Sequence, residues 1–266
     1  MDLLKLISEY KDLNLSKAID FDKFNMYAIV HHSTTIEGST LTEIETQLLL
    51  DENLTPKGKP LDHSLMVRDH YTALKFVLDA ADKKQPVTPA FIQQINASVM
   101  KNTGIIYETV FGQIDSTQGA FRKGSVRAGN SYFPSYDKVP TMVEKLIGQI
   151  KGDLNNSNSS LDDLNLSFDV HFGLVSIHPF YDGNGRTSRL LMNYIQQLCN
   201  LPLGMVFKED KQDYFEALIK TRENEDISIF RKFMTDQYVK HLSQEIKRYK
   251  DSLNPPKKGK GYSFIF

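Results

Sequence analysis

The sequence predicts an all-α fold carrying one small β-hairpin, and three features of its 266 residues support that expectation. Apolar side chains recur three and four positions apart along most of the chain, the period of a helix with one buried face. Helix start signals punctuate the pattern. Thr42 with Glu45 three positions on has the form of a capping box, and Thr88-Pro89 and Pro140 place proline in a first helical turn. One stretch alone departs from it: Ser125-Val126-Arg127 and Ser131-Tyr132-Phe133, around Ala128-Gly129-Asn130, read as two short strands and a turn.

In order, Phe24, Tyr27, Ala28 and Ile36 mark a helix over 22–37, with Gly38 as its C-terminal stop. A short helix opens at Thr42 and runs through Leu50, and 53–61, with two prolines and a glycine, is a loop. Asp62 caps a long amphipathic helix to about Ala81, with Met66, His70, Leu74, Val77 and Leu78 on one face. Thr88-Pro89 begins a helix that ends near Gly104, and Pro140 one that ends near Ile150. The Asn-, Ser- and Gly-rich 151–160 is a loop. The next helix holds Phe168, Phe172, Leu174, Val175 and Ile177; it is apolar on several sides and therefore central. Two more helices follow at 210–222 and 227–249, and 255–266 is a basic, glycine-containing tail with an aromatic end.

Composition narrows the function classes. Lysine and arginine number 32 against 33 acids, without the basic excess of a protein that holds nucleic acid by bulk charge. Cys199 is the only cysteine, so neither an intrachain disulfide nor a cysteine zinc site can form. No window approaches the roughly 18 apolar residues of a membrane span, and the first residues lack a signal-peptide core. A cytoplasmic protein with no membrane or nucleic-acid partner is the expectation.

The chemistry concentrates in His178-Pro179-Phe180-Tyr181-Asp182-Gly183-Asn184-Gly185-Arg186-Thr187-Ser188-Arg189. Pro179 stops the central helix at His178, and helical period resumes at Leu190, so a tight loop leads into a second helix. Backbone amides at that helix's start form a nest suited to phosphate oxygens. Arg186 and Arg189 share one face of its first turn, where cations oppose the helix dipole unless an anion is bound. Asp182 is a hard oxygen ligand suited to Mg²⁺, and His178 is the loop's one proton acceptor near neutral pH. A lone histidine beside proline, or a Gly-Asn-Gly turn, is ordinarily structural; capping explains neither the histidine nor two arginines here. The combination describes phosphoryl or nucleotidyl transfer.

The same run resembles the signature of the Fic (Fic/DOC) family: His-Pro-Phe, any residue, Asp or Glu, Gly-Asn, Gly or Lys, Arg, two residues, Arg. Every specified position is matched. The resemblance implies a Fic-like helical bundle, with an N-terminal region (1–104) packed on a catalytic core (105–240) and a final segment (241–266). It implies transfer of AMP from ATP to a Ser, Thr or Tyr hydroxyl of a target protein. His178 would be the general base and Asp182 the ligand for Mg²⁺ or Mn²⁺. Gly183, Asn184 and Gly185 would cradle the phosphates, Asn184 near the α-phosphate. Arg186 would contact the phosphates, Arg189 the γ-phosphate, and Phe180 would anchor the loop.

Two further segments gain meaning from the resemblance. The hairpin with Val126, Arg127, Tyr132 and Phe133 lies where the family carries a flap on which an extended target segment adds as a strand. Ser33-Thr34-Thr35-Ile36-Glu37-Gly38 resembles the family's inhibitory motif, Ser or Thr, three residues, Glu, then Gly or Asn. In that class an N-terminal helix brings its Glu, here Glu37, onto the second arginine, here Arg189, and blocks productive ATP binding. The sequence is consistent with this, since an acid near a helix C-terminus is disfavoured by the dipole unless it finds a cation. Tyr214, Phe215 and Leu218 fall where the family builds part of its adenine pocket, although such a stripe is ordinarily core. His31-His32 lacks metal-site spacing.

The leading expectation is an ATP- and Mg²⁺-dependent protein adenylyltransferase restrained by its own Glu37. Two others stand beside it: a hydrolase that removes AMP from modified targets, and a non-catalytic ATP-sensing module. A homo-oligomer is left open by the sequence.

Overall fold

Ten helices and two small antiparallel hairpins make up the computed structural model, which describes residues 3–15, 21–110, 112–128 and 131–253. Helix α1 (Leu3–Asp12) is followed by α2 (Phe21–Ile36), α3 (Glu43–Glu52), α4 (Leu61–Asp82) and α5 (Pro89–Val99). Strands β1 (Ile106–Thr109) and β2 (Gly112–Asp115) form one hairpin, and β3 (Arg127–Ala128) and β4 (Ser131–Tyr132) the other. Helices α6 (Val139–Asn156), α7 (Ser160–Ile177), α8 (Asn184–Leu198), α9 (Lys211–Asn224) and α10 (Ile227–Leu253) complete the chain. None of the described helices is long and apolar enough to cross a membrane.

Most starts follow their local chemistry. At α3 both capping-box bonds are made: Thr42 Oγ1 accepts from Glu45 N at 3.2 Å, and Glu45 Oε2 accepts from Thr42 N at 2.7 Å. Thr88 Oγ1 caps α5 by accepting from Phe91 N at 3.1 Å, ahead of Pro89. Gly38 ends α2 at φ +108°, a conformation that glycine enters at little cost.

Elsewhere the boundaries differ from expectation. Pro60, not Asp62, precedes the first residue of α4, and Asp62 lies in its first turn, where its charge suits the dipole. Helix α5 stops at Val99, five residues before Gly104, and a turn follows in which the Gly104 N–H donates to the Met100 carbonyl. Helix α6 continues through 151–156 to Asn156, because Leu154 packs on the core one turn beyond Ile150 and outweighs the polar residues around it. The capping serine Ser159 then opens α7. The expected hairpin forms with strands of two residues, pairing Arg127 with Tyr132 and Ala128 with Ser131; Val126 and Phe133 flank it, and its turn, Gly129-Asn130, lies outside the described residues. The 254–266 tail lies outside them too. Helix α1 and the β1–β2 hairpin are additions to the expected elements.

Helix α8 lies at the centre, packed against α4, α5 and α7, and every residue from Arg186 to Gln196 is buried. On one side α2, α4, α5 and α6 share a core with Leu190, Leu191, Tyr194 and Ile195 of α8. On the other, α1, α7, α9 and α10 close over Met192. A helix so enclosed gives its N-terminal side chains little freedom, which is what a site needs.

Burial also shapes the response to acid. His31, His32, His70, His171 and His241 are all buried. Desolvation, the largest cause in each, holds His31 and His32 to about 4 and His241 to about 3. It puts His70 and His171 well below the ordinary range, with Arg189 adding to the effect. The unfolded chain protonates these rings near pH 6.5, while the folded chain resists until lower pH. Their neutral-form stability is therefore complete above the unfolded value and drains as pH falls toward the folded ones. Each ring removes up to about 1.4 kcal/mol per pH unit in that window. The urea midpoint is expected to be level above neutrality and to fall steeply below about pH 6.5; a flat midpoint down to pH 4 contradicts this.

Candidate active site

Helix α7 ends on His178, whose backbone takes the left-handed conformation (φ 52°, ψ 58°) while its N–H donates to the Leu174 carbonyl at 3.0 Å. The chain then crosses Pro179–Asp182 and enters α8 through Gly183 at φ +76°. A Cβ on Gly183 would meet Asn96 Nδ2 at 2.8 Å and Met100 Sδ at 2.9 Å, so both backbone and space require glycine. The N–H groups of the first turn of α8, beginning at Asn184, are those a helix leaves without an internal acceptor. They give this end its partial positive charge.

The loop is held from inside. Asn184 Oδ1 accepts from Phe180 N, and its Nδ2 donates to the Phe180 carbonyl, both at 2.9 Å. Its carboxamide is therefore committed to the loop in this structure. Asn96 of α5 donates to the Asp182 carbonyl at 3.0 Å and to Thr187 Oγ1 at 3.1 Å. Phe180 is buried against Phe121. Replacing Asn184 by alanine strands two buried backbone groups and is expected to lower stability by about 2–3 kcal/mol, read as a lower urea midpoint with unchanged slope.

Two buried guanidiniums face this helix start. Arg186 places Nη2 3.2 Å from Met100 Sδ and 3.7 Å from Asp182 Oδ1, while its Nε and Nη1 have no hydrogen-bond partner. Arg189 donates from Nε to Ser33 Oγ at 2.8 Å, and from Nη2 to the Ser33 carbonyl at 3.1 Å and to Glu37 Oε1 at 2.6 Å; its Nη1 is unpartnered. The Glu37 carboxylate is pressed on the helix start itself: a Cβ on Gly185 would lie 2.4 Å from Glu37 Oε1. Burial alone would raise the Glu37 carboxyl, but Arg189 and Arg186 outweigh it and keep it below the usual carboxylate range. Its side chain still exposes 29% of its surface, a route by which it could be displaced. Ser33 and Glu37 thus lie together at the C-terminal end of α2, beside Arg189, and Gly38 follows at the end of the helix.

On the far side of the loop the His178 imidazole stacks on Phe133, with ring centroids 3.8 Å apart and an 18° interplanar angle. Burial brings its pKa down to about 4, against the pull of the Val175 carbonyl; Arg122 lowers it further and Glu37 raises it. The ring is therefore neutral at pH 7. Beyond Phe133, the Arg222 guanidinium sits 5.8 Å from that ring's centroid. Tyr132 is 80% exposed and Arg127 is exposed, while Val126 is half-buried. Asp182 keeps half its side chain in solvent. Among the described residues no group of three or more His, Cys, Asp or Glu could hold a metal alone. A single accessible carboxylate suits Mg²⁺, which fills its remaining positions with phosphate oxygens and water.

The three expected adenine-pocket residues separate. Leu218 belongs to the second core, and Tyr214 is buried with its hydroxyl 2.9 Å from His171 Nε2 and its ring centroid 6.0 Å from the Arg189 guanidinium. Phe215 alone offers surface, with Lys211 Nζ 5.8 Å from its ring. The spacing of Tyr214 and Leu218 follows the buried face of α9. Asn96, Met100 and Arg122 were not signalled by the sequence. Asn96 alone left a trace, a polar residue on the apolar face formed by Ile92, Ile95 and Val99.

Residues 86–196 match the profile of the Fic/DOC family. This chain carries a Fic domain. The chain is 30% identical over 215 residues to the protein adenylyltransferase Fic of Drosophila melanogaster, an alignment spanning 80% of this chain and 40% of the fly protein. The Drosophila willistoni protein of that name is 28% identical over 214 residues, again 80% of this chain and 40% of that one. The chain thus spans about two fifths of the length of these curated relatives. A Fic domain containing signalling protein from Bacteroides thetaiotaomicron superposes with a TM-score of 0.81 at 24% identity, covering 94% of this chain and 98% of that one. Fic-1 from C. elegans superposes at 0.74 and 22%, covering 94% and 72%. Both structural likenesses establish the fold. The Fic domain takes in α5 through most of α8, so Glu37 reaches it from outside the matched segment.

Proposed function

We propose that this protein is an adenylyltransferase that moves AMP from ATP to a hydroxyl of a protein target, and that Glu37 restrains it. The observation that carries this reading is the placement of two buried guanidiniums with unpartnered nitrogens at the start of α8, one loop from a neutral imidazole. Relatives named protein adenylyltransferase Fic support the reaction class.

In this reading the triphosphate lies along the 183–186 amides, with Arg186 and Arg189 as its cationic partners. His178 takes the proton of the target hydroxyl as that oxygen attacks the α-phosphorus. The bond from that phosphorus to the bridging oxygen breaks, and pyrophosphate leaves. Asp182 would hold Mg²⁺ or Mn²⁺, which neutralises phosphate charge when bound. A neutral ring is the form that accepts a proton, and arriving phosphates raise its basicity. The hairpin around Val126, Arg127, Tyr132 and Phe133 serves as the flap that docks the target. The proposed organisation is a brake-bearing N-terminal region, 1–104, on a 105–240 core, in the cytoplasm.

Glu37 occupies both the Arg189 guanidinium and the space above Gly185. A phosphate there would meet a carboxylate in place of a cation, which is the physical content of the restraint. The test is transfer of α-labelled AMP to protein in the presence of Mg²⁺, with and without Glu37. Absence of protein-bound label from both forms defeats the reading.

A further inference from the structure

Arg122 is a fully buried guanidinium whose acceptors are three backbone carbonyls. Its Nε donates to the His178 carbonyl at 2.7 Å, its Nη1 to the Gly124 carbonyl at 2.8 Å, and its Nη2 to the Pro134 carbonyl. Its backbone N–H donates to the Pro179 carbonyl at 2.9 Å. Only 2% of the residue is exposed. Burying a cation without an anion is costly, and three charge-assisted bonds to carbonyls are the compensation that makes it tolerable.

The location of these acceptors is informative. Gly124 and Pro134 are the two ends of the flap, the points where the β3–β4 hairpin leaves and rejoins the domain. His178 and Pro179 supply consecutive carbonyls just after the imidazole. His178 also holds a left-handed backbone as the C-cap of α7, a conformation that non-glycine residues adopt uncommonly. One side chain therefore fixes both legs of the flap and the backbone that aims the imidazole. Phe133, one residue before Pro134, lies on that imidazole.

We propose that Arg122 is a positioning residue that locks the flap and His178 into one rigid unit, so that a hydroxyl docked on the flap meets the imidazole at a fixed distance. This rests on the reading of His178 as the base and 125–133 as the flap. The positive charge of Arg122 also helps keep the His178 ring neutral, a second effect of the same placement.

The test compares Arg122→Gln and Arg122→Lys in the full chain, by hydrogen exchange of the flap amides and by NMR titration of His178. Both variants are expected to exchange faster across 123–134, on the order of tenfold, as local opening loses buried charge-assisted bonds. His178 is expected to titrate higher in Arg122→Gln, which removes the charge, and close to wild type in Arg122→Lys, which keeps it. In a Glu37→Gly background, kcat for AMP transfer is expected to fall about 10²-fold with KM for ATP nearly unchanged, since misplacement rather than ATP binding is altered. Unchanged flap exchange and an unchanged His178 titration in folded Arg122→Gln overturn the proposal. So does a fall in kcat matched by an equal loss of ATP affinity, the mark of general disruption. The lysine variant, the gentler of the two, decides the flap tie if the glutamine variant does not fold. Should the Glu37→Gly background itself transfer no AMP, the functional reading fails, while exchange and titration still report on the tie.

Discussion

Replacing Glu37 with glycine is expected to raise AMP transfer about 10- to 100-fold, including transfer onto the enzyme itself, the range that a built-in contact of 1–3 kcal/mol controls. The direction follows from the geometry around Arg189. In the resting chain its Nη2 is satisfied by Glu37, and the carboxylate covers the Cα of Gly185. Removing it exposes a cation and a helix N-terminus to the same anion. Folding stability is expected to fall in parallel by about 1–3 kcal/mol, because Arg189 stays buried with one charge-assisted bond unmade. ATP then restores what Glu37 supplied, so the ATP-induced rise in melting temperature should be larger in Glu37→Gly than in wild type. Calorimetry with and without ATP checks this independently of any target. Equal labelling by the two forms rules the restraint out. Faster release of AMP from modified protein by wild type than by Glu37→Gly would instead assign Glu37 to orienting a hydrolytic water.

The contact of Ser33 and Glu37 with Arg189 was legible because both halves are short motifs of fixed spacing. Ser33 and Glu37 lie four apart, so one helical turn puts both on Arg189. The helices were legible wherever one face is buried, as in α4 and α5. What the sequence hid falls into two kinds. The β1–β2 hairpin is largely exposed, so Ile106–Thr109 alternates between exposed and half-buried positions without the strong alternation that marks a strand. Arg122 acts through backbone carbonyls, which every residue has, so no partner side chain announces it. Asn184 shows the opposite limit. Its place in the signature was plain, yet both polar atoms of its side chain serve the loop, a role that spacing alone could not separate from phosphate contact.

Adding His178→Ala to the Glu37→Gly chain is expected to remove transfer by about 10²- to 10⁴-fold, the contribution of a positioned general base. Affinity for ATP should stay within a few-fold, because the cationic contacts proposed for ATP come from Arg186 and Arg189. That split separates loss of chemistry from collapse of the cradle. The substitution also takes the stacking partner from Phe133, so the flap is expected to loosen near Phe133 while Gly124 and Pro134 remain tied by Arg122. The pH profile of the unrestrained enzyme adds an independent check on the role of the ring. A base with a free-enzyme pKa near 4 is fully available at neutrality, so kcat/KM for ATP, which reports the free enzyme, should be nearly level from pH 8 down to about 6 and should decline only as the ring protonates. A profile halving near pH 7 would mean that some other group limits the reaction. Residual transfer at the Glu37→Gly rate in the double variant would remove His178 from the chemistry and leave its loop as a binding site alone.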